Sequence, residues 1–195
     1  MSTDGHAPVV YGRDLPTDHE LRLCGDIGEG TRALELGVSG QYNSIAFAAA
    51  GAKTLALDPS ADCIATLRAR AAAVGLHVEC HIGELADLGF AASGTVDVVL
   101  ANGTLQRVDD LGRLLRQVHR VLKPSRAFVI CLRHPFADVF QGEDTTPYGS
   151  QSRTIEEWFT ALGRANFRVD VLHELGDTRS PVPTTLMLRA RKEGS

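Results

Sequence analysis

The stretch from Thr31 to Ser44 constrains the fold of this chain more than any other. It begins with a short apolar run that ends at Leu36, turns through glycines and small residues, and enters an alanine-rich segment. An apolar run, a glycine-containing turn and a helical pattern in this order predict a strand, a tight loop and a helix. We therefore predict half of a βαβ unit, with its helix from Tyr42 to Ala50.

This loop has the features of a site for a polar ligand. Backbone N–H groups and the partial positive charge of a helix N-terminus suit an anionic or strongly polar group. Gly37 tolerates a positive φ and lets a ligand approach the backbone closely. A second apolar run ends in Asp58, and a carboxylate at the tip of a second strand can accept hydrogen bonds from both hydroxyls of a ribose. Together these features indicate a nucleoside-bearing cofactor.

The loop lacks the glycine pattern of nicotinamide and flavin sites. That fingerprint is G-x-G-x-x-G, whereas residues 37–42 read G-V-S-G-Q-Y and miss two of its three glycines. An NAD-dependent reductase is therefore disfavoured.

The same stretch resembles the first motif of the class I S-adenosylmethionine (SAM)-dependent methyltransferases, usually written E/D-x-G-x-G-x-G. Glu35 and Gly37 match this motif, while Ser39 and Gln41 stand where the family has its second and third glycines. Ser39 adds a Cβ and a hydroxyl facing the methionine part of SAM, and Gln41 adds bulk at the start of the helix. The resemblance implies a SAM site in which these two side chains alter the affinity or the pose of the cofactor.

Three later segments resemble further elements of this family. G-E-L-A-D-L at 83–88 corresponds to its G-D-x-x-x-L element, V-D-V-V at 96–99 is close to its F-D-x-V element, and H-R-V-L-K-P at 119–124 is similar to its h-R-V-L-K-P-G-G element. Ser125 and Arg126 replace the paired glycines. The resemblance covers about residues 18–192, and it rests on the order of the elements more than on any one motif.

The resemblance also implies which residues bind SAM. The methionine end is assigned to Glu35, Gly37, Ser39 and Tyr42, the ribose to Asp58 with the adjacent Pro59, the adenine to Gly83, Glu84 and Leu85, and the neighbourhood of the sulfonium to Asn102. Packing alone does not readily explain Asp58 or Gly37. Glu84 is also compatible with a surface acid, and Tyr42 with a ring that packs on its helix.

Methyl transfer is a displacement on an activated sulfonium, so the protein mainly positions the acceptor and needs no mandatory catalytic residue. His134 is the best candidate base, because it follows a central strand at the edge where open α/β sheets bind ligands. Its unperturbed pKa of about 6.5 suits proton removal near neutrality. The alternative is a histidine that only hydrogen-bonds the lid. Tyr11, Arg133 and Tyr148 are candidate substrate contacts. The alternatives are that Tyr11 belongs to a frayed tail, that Arg133 simply faces water, and that the Tyr148 ring only packs against the protein.

The order of the elements predicts an α/β fold, a Rossmann-like doubly wound sheet of seven strands with helices on both faces. The strands are expected to be mostly parallel, with the last one antiparallel. We expect an N-terminal arm at 1–17, one domain at 18–195 and a lid loop at about 134–153. A short helix is predicted at 18–24.

Two further helices are predicted from local patterns. One has Ile64, Leu67, Ala71 and Val74 on a single face. The other starts at the capping box formed by Thr154 and Glu157 and turns Trp158, Phe159 and Leu162 inward.

Composition excludes several classes of protein. The chain has 195 residues, 44% of them hydrophobic, which fits one domain with one sizeable core. Its net charge of −4 gives no electrostatic reason to expect nucleic acid as a partner. The sequence has no apolar stretch near the roughly 20 residues of a membrane span and no secretory leader, so we expect a soluble cytoplasmic protein without a membrane partner. Cys24, Cys63, Cys80 and Cys131 form no C-x-x-C pair and are interpreted as small core residues, so no metal or disulfide is expected.

The function predicted from these features is SAM-dependent transfer of a methyl group to an oxygen, nitrogen or carbon atom of a small-molecule acceptor, with S-adenosylhomocysteine as product. The alternative, motivated by Ser39 and Gln41, is a protein of the same fold that binds SAM or its product without methyl transfer. A homodimer is an option that the sequence leaves open.

Overall fold

The computed structural model describes residues 8–106, 108–140, 145–176 and 180–194. Its strands are β1 (Arg32–Leu36), β2 (Lys53–Asp58), β3 (Glu79–Ile82), β4 (Val96–Asn102), β5 (Leu122–Arg133), β6 (Phe167–Leu175) and β7 (Thr185–Lys192). Its helices are α1 (Asp18–Leu21), α2 (Asn43–Ala49), α3 (Ala61–Ala73), α4 (Leu111–Val121), α5 (Pro135–Val139) and α6 (Ile155–Arg164).

All seven strands belong to one sheet with the order β3-β2-β1-β4-β5-β7-β6. The pairs β2–β3, β1–β2, β1–β4 and β4–β5 are parallel, and β7 lies antiparallel between β5 and β6. The predicted seven-stranded Rossmann-like sheet with an antiparallel last strand is confirmed. Because β1, β2, β4 and β5 run in the same direction, their carboxyl ends meet at one edge of the sheet, where open α/β sheets bind ligands.

The central strands are buried on both faces by helices. Every residue of β4 is buried, as parallel strands between two helical layers require. One layer of the core includes Leu114 and Val118 of α4 with Trp158 of α6. The opposite layer includes Phe47 of α2 and Leu23, which lies shortly after α1. The sheet is therefore a fixed platform for the loops at its carboxyl edge.

Side-chain caps fix where several helices begin. The Thr154 hydroxyl accepts a hydrogen bond from the Glu157 N–H at 3.2 Å, and the Glu157 carboxylate accepts one from the Thr154 N–H at 2.7 Å, which confirms the predicted capping box. Asp110 caps α4 in the same way, since its carboxylate accepts from the Arg113 N–H at 2.8 Å.

Two predicted core positions are wrong. Val74 is 62% exposed, because α3 ends at Ala73 and Val74 is its C-cap. Phe159 is 42% exposed, because Trp158 and Leu162, four residues apart, already occupy the inner face of α6. A neighbouring residue is rotated by roughly 100° from Trp158 and therefore turns away from the core.

Two predicted boundaries also differ. The first helix ends at Leu21 rather than at residue 24, because Arg22 adopts a left-handed φ of 50° and the Asp18 carboxylate accepts from the Leu23 and Cys24 N–H groups. The predicted lid loop contains the short helix α5, which has no helical period long enough to be recognised in the sequence. Residues 1–7 of the predicted arm, 141–144 of the predicted lid loop and 177–179 of the predicted domain lie outside the described residues. The division into an arm and one domain stays a prediction.

All four cysteines lie within the described residues. Cys24 and Cys131 are buried and Cys63 and Cys80 are half-buried, each as a free thiol. In the described ranges no helix has the length and apolarity to cross a bilayer. Among these same residues, no cluster of three or more His, Cys, Asp or Glu side chains is placed to hold a metal ion.

Candidate cofactor-binding site

The loop after β1 turns at Gly37, which has a φ of 77° and donates its N–H to the Leu57 carbonyl at 2.8 Å. A Cβ at this position would lie 2.4 Å from Cβ of Thr104. Thr104 in turn donates its hydroxyl to the Leu36 carbonyl at 2.7 Å. Only glycine fits here, because both the positive φ and the contact with Thr104 exclude a side chain at residue 37.

Glu35 is fully buried beneath this loop. Its carboxylate accepts backbone hydrogen bonds from Ser44 at 2.8 Å, Asn43 at 3.2 Å and Ser39 at 3.4 Å. Burial raises the pKa of this carboxyl above its usual value, and the hydrogen bonds from Ser44, Ser39 and Asn43 act against that rise. Glu35 therefore holds the loop and the first turn of α2 in place from below.

Asp58 holds the same loop from its other side. One carboxylate oxygen accepts from the Val38 N–H at 2.7 Å, and the other accepts from the Ser60 N–H at 2.8 Å. The residue is 8% exposed. Each oxygen retains a further lone pair, so the carboxylate can accept additional hydrogen bonds from the two hydroxyls of a ribose.

The two residues that replace glycines do not disturb the backbone of the loop. The Ser39 hydroxyl lies 3.4 Å from a Glu35 oxygen, and Gln41 is exposed. The positive φ angles of the loop fall at Gly37 and at Tyr42, which has a φ of 52°. The Tyr42 ring is half-buried beneath the Arg70 guanidinium, 4.4 Å from the ring centroid. The positions of Ser39 and Gln41 therefore accommodate side chains without strain at those residues.

The end of β3 supplies groups beside Asp58. Gly83 donates its N–H to the Asp58 carbonyl at 3.2 Å, which sets the following Glu84 and Leu85 next to this strand end. Glu84 is exposed and Leu85 is half-buried. Ile82, which the sequence analysis did not single out, pairs with Asp58 in the sheet and is 54% exposed. An apolar residue directly before the glycine of the G-E-L-A-D-L element was the available signal.

The residues after β2 and β4 complete this edge. Pro59 is exposed, and Asn102 is buried at the end of β4. Gly103, which follows Asn102, has a φ of 75° and an open space where a Cβ would be. This edge suits a nucleobase that carries an amino group. Pro59 and Ile82 offer apolar surface for its ring, and the exposed Glu84 carboxylate can accept a hydrogen bond from the amino group.

The N-terminal arm crosses this edge through its backbone. The Val10 carbonyl accepts from the side-chain amides of Asn43 at 2.8 Å and Asn102 at 3.3 Å, and the Val10 N–H donates to the Asn43 side-chain oxygen at 2.9 Å. The Tyr11 ring is buried, and its hydroxyl donates to Asp18 at 2.5 Å. The arm therefore approaches the site with Val10 rather than with the Tyr11 side chain, and the substrate contact of Tyr11 stays a prediction. Asn43 was missed, although a polar residue at the start of an apolar helix is a visible signal.

His134 is fully buried and has partners on both ring nitrogens. Nδ1 accepts from the Phe136 N–H at 3.1 Å and caps α5, and Nε2 lies 2.9 Å from a Glu174 oxygen. These partners imply a neutral ring with its proton on Nε2. The base role stays a prediction, and the geometry argues against it, because the lone pair that a base requires is already used by the helix cap.

The other two predicted substrate contacts, Arg133 and Tyr148, have partners within the protein. Arg133 is paired with Asp138 at 2.6 Å and also donates to the Ala137 carbonyl at 3.2 Å. Tyr148 is 42% exposed, and its hydroxyl accepts from the Ile155 N–H at 3.2 Å. Their contact with a substrate stays a prediction.

The sequence matches a family model described as a methyltransferase domain over residues 34–130. A search of curated proteins finds no match. Among solved structures, a SAM-dependent methyltransferase from Mesorhizobium loti has a TM-score of 0.72 and 24% identity over 89% of this chain and 96% of its own. A SAM-dependent methyltransferase from Aquifex aeolicus has a TM-score of 0.67 and 19% identity over 89% and 88%.

A third similar structure is geranyl diphosphate C-methyltransferase from Streptomyces coelicolor, solved with Mg²⁺, geranyl diphosphate and S-adenosylhomocysteine. It has a TM-score of 0.72 and 14% identity over 90% of this chain and 78% of its own. The sheet order, with Glu35 of β1 and Asp58 of β2 towards its carboxyl edge, is that of a Rossmann-like methyltransferase fold. The matched family model and these structures support a class I SAM-dependent methyltransferase, and SAM is the cofactor of the structures that share the fold.

Proposed function

We propose that this protein binds SAM and transfers its methyl group to an oxygen, nitrogen or carbon atom of a small-molecule acceptor. The observation that carries the proposal is Asp58. Its buried carboxylate lies at the tip of β2, is held by the Val38 N–H at 2.7 Å, and keeps lone pairs for ligand hydroxyls. A carboxylate in this place is suited to a ribose.

The surrounding residues support the rest of the nucleoside. In this proposal Pro59 and Ile82 contact the faces of the adenine, and Glu84 with the Leu85 N–H binds its amino group and ring nitrogen. Glu35 and Gly37 form the loop that receives the methionine end, with Ser39 and Tyr42 beside it. Asn102 lies near the sulfonium, where its amide also binds Val10 of the arm.

The chemistry requires positioning more than proton transfer. Bound SAM would supply a methyl group activated by its sulfonium and would leave as S-adenosylhomocysteine. The residues of this chain hold the acceptor in line, exclude water and fix the loop. A small-molecule acceptor is supported by the geranyl diphosphate methyltransferase that shares the fold.

A second candidate function is cofactor binding without methyl transfer. It is favoured by Ser39 and Gln41, which replace two motif glycines and place polar side chains beside the methionine end. The Ser39 hydroxyl already lies 3.4 Å from Glu35, so the loop has a local polar network that the usual glycines lack.

Titration calorimetry with SAM, S-adenosylhomocysteine and NAD tests the proposal. We expect both sulfur compounds to bind and NAD not to bind. Transfer of a labelled methyl group from SAM to a panel of phenols, amines and activated carbon acids then separates the two candidates. Binding of NAD alone would overturn the proposal, and SAM binding with no turnover on the panel would favour the second candidate.

A further inference from the structure

We propose that this protein holds an uncharged, flat aromatic acceptor against an exposed ring patch formed by Phe136, Phe140 and Tyr148. This inference rests on the proposed function, because it names the substrate class of the same site. Phe136 is 44% exposed, Phe140 51% and Tyr148 42%. Large apolar side chains left open to water close to a ligand-binding edge are typical of a binding surface.

The position of the ring patch connects it to the site. Phe136 lies in α5, which starts directly after β5, and β5 pairs with β4 so that Cys131 is opposite Asn102. The Gly103 N–H donates to the Cys131 carbonyl at 2.8 Å. The ring patch therefore follows β5 at the carboxyl edge of the sheet, and β5 is the strand next to the one that ends in Asn102.

The rings form a series with an open end. The His134 and Phe136 ring centroids are 5.8 Å apart with planes at 24°, and those of Phe136 and Tyr148 are 5.0 Å apart with planes at 30°. Phe140 is the C-cap of α5, four residues after Phe136, and is also open to water. A further flat ring continues such a series through stacked or tilted contacts, whereas a saturated chain gains only apolar area.

The ring patch is fixed before any ligand arrives. The His134 ring caps α5 through the Phe136 N–H at 3.1 Å, and Thr146 donates its hydroxyl to the Asp138 carbonyl at 2.8 Å. The Tyr148 hydroxyl accepts from the Ile155 N–H at 3.2 Å. These contacts anchor the patch at both ends, so little side-chain or backbone ordering is left for the ligand to impose.

The charges beside the ring patch favour a neutral ligand. The Arg133 guanidinium is bound to the Asp138 carboxylate at 2.6 Å and to the Ala137 carbonyl at 3.2 Å. Arg153 donates to the Val108 carbonyl. Arg133 and Asp138 neutralise each other, so the pair gives a charged ligand little net attraction, whereas an uncharged ring uses the exposed faces of the aromatic side chains.

The test measures binding of 1-naphthol to the protein saturated with S-adenosylhomocysteine, by equilibrium dialysis. We expect Phe136→Ala and Phe140→Ala each to weaken 1-naphthol binding at least fivefold, since each removes about 1 kcal/mol or more of ring contact. Tyr148→Leu should weaken binding similarly, while Tyr148→Phe keeps the ring and retains most of it. Phe159→Ala is the matched control, because Phe159 is equally exposed at 42% but lies on α6.

Several results would overturn the inference. If the protein binds S-adenosylhomocysteine but not 1-naphthol, this inference fails and the proposed function stands. The same conclusion follows if Phe159→Ala weakens 1-naphthol binding as much as the ring-patch variants do. Tighter binding of cyclohexanol or geranyl diphosphate than of 1-naphthol contradicts a flat, uncharged acceptor. Sedimentation that shows a dimer abolished by Phe136→Ala assigns the rings to a second copy. Absence of S-adenosylhomocysteine binding in the unaltered protein instead overturns the proposed function, and this inference with it.

Urea unfolding and S-adenosylhomocysteine affinity are measured for every variant. We expect both to stay close to those of the unaltered protein, because the substituted rings are exposed and none is assigned to the cofactor. Weaker 1-naphthol binding with an unchanged cofactor affinity then identifies the rings as the acceptor surface.

Discussion

Gly37 and Thr104 fit together so closely that a Cβ on residue 37 would lie 2.4 Å from the Thr104 Cβ. This contact joins the loop after β1 to the loop after β4, and the Thr104 hydroxyl secures it by donating to the Leu36 carbonyl at 2.7 Å. The two loops that flank the proposed sulfonium position are thus held at a fixed separation.

The first prediction concerns this contact. Gly37→Ala combines a side chain at positive φ with overlap against Thr104, so we expect a loss of about 2 to 5 kcal/mol in the free energy of unfolding. We also expect S-adenosylhomocysteine binding to weaken strongly, measured by calorimetry at a temperature where the variant is folded. Gly40→Ala is the control, because a Cβ there has open space, and it should leave stability unchanged or slightly raised. Equal effects of the two variants would contradict the prediction.

The second prediction concerns Asp58. Asp58→Asn removes the charge that would accept the ribose hydroxyls, and hydrogen bonds to charged groups contribute about 1.5 to 3 kcal/mol. We expect SAM affinity to fall roughly tenfold to a hundredfold by calorimetry. Asp62→Asn, an exposed carboxylate in the first turn of α3, removes the same charge nearby and should change affinity less than twofold. An Asp58→Asn protein with unaltered affinity would remove the ribose assignment.

The third prediction concerns stability in acid. Burial alone would raise the pKa of Asp97, but hydrogen bonds from Lys123 and the Arg32 N–H, with the charges of Lys123 and Arg126, outweigh it and lower the pKa below its usual value. A carboxyl with a lowered folded pKa stabilises the protein above its unfolded pKa of about 3.9, and this stabilisation is lost as pH falls through the folded pKa.

Asp97→Asn should therefore lower the free energy of unfolding by about 1 to 3 kcal/mol at pH 7. The difference from the unaltered protein should shrink below about pH 4. Urea unfolding between pH 3 and pH 8 measures it, with Asp109→Asn, an exposed carboxylate before α4, as control. A difference that stays constant across the pH range would show that the charge of Asp97 is not responsible.

The fourth prediction separates two roles of His134. Its buried ring caps α5 and contacts Glu174, so His134→Ala should cost about 2 to 4 kcal/mol of stability through a lost cap, an unpaired N–H and a cavity. Glu174→Gln keeps an oxygen acceptor at 46% exposure and should have a small effect. The opposite result would establish His134 as the base: a His134→Ala protein of full stability that no longer transfers methyl groups and whose residual rate no longer rises with pH.

Much of the candidate site was predictable because its signals are local. Glu35 and Asp58 can be recognised in the sequence as acids near the ends of apolar runs. Gly37 can be recognised as the glycine that follows the first of these runs. The contacts that give them their roles are not local. Asp58 binds Val38 twenty positions away along the chain, and Asn102 binds Val10 ninety-two positions away. No sequence period reports such contacts, because they depend on which strands become neighbours.

The same distinction explains the errors. Phe159 follows the helical pattern of α6 within the usual tolerance, yet the sheet covers only the face that carries Trp158 and Leu162. His134 has the residue type and the strand-end position of a base, but the helix that follows it and Glu174 of β6 occupy both nitrogens. Burial and partners are properties of the packed structure.

The sequence by itself determined the α/β class, the turn at Gly37 and the resemblance to SAM-dependent methyltransferases, because apolar periodicity, glycines and caps act over a few residues. Only the tertiary structure decided the register of β7 against β5 and β6, the hydrogen bonds from Asn43 and Asn102 to Val10, and the exposure of three aromatic rings after β5. Those outcomes follow from the burial of apolar surface and the pairing of buried polar groups across the whole chain, which couple residues far apart in sequence.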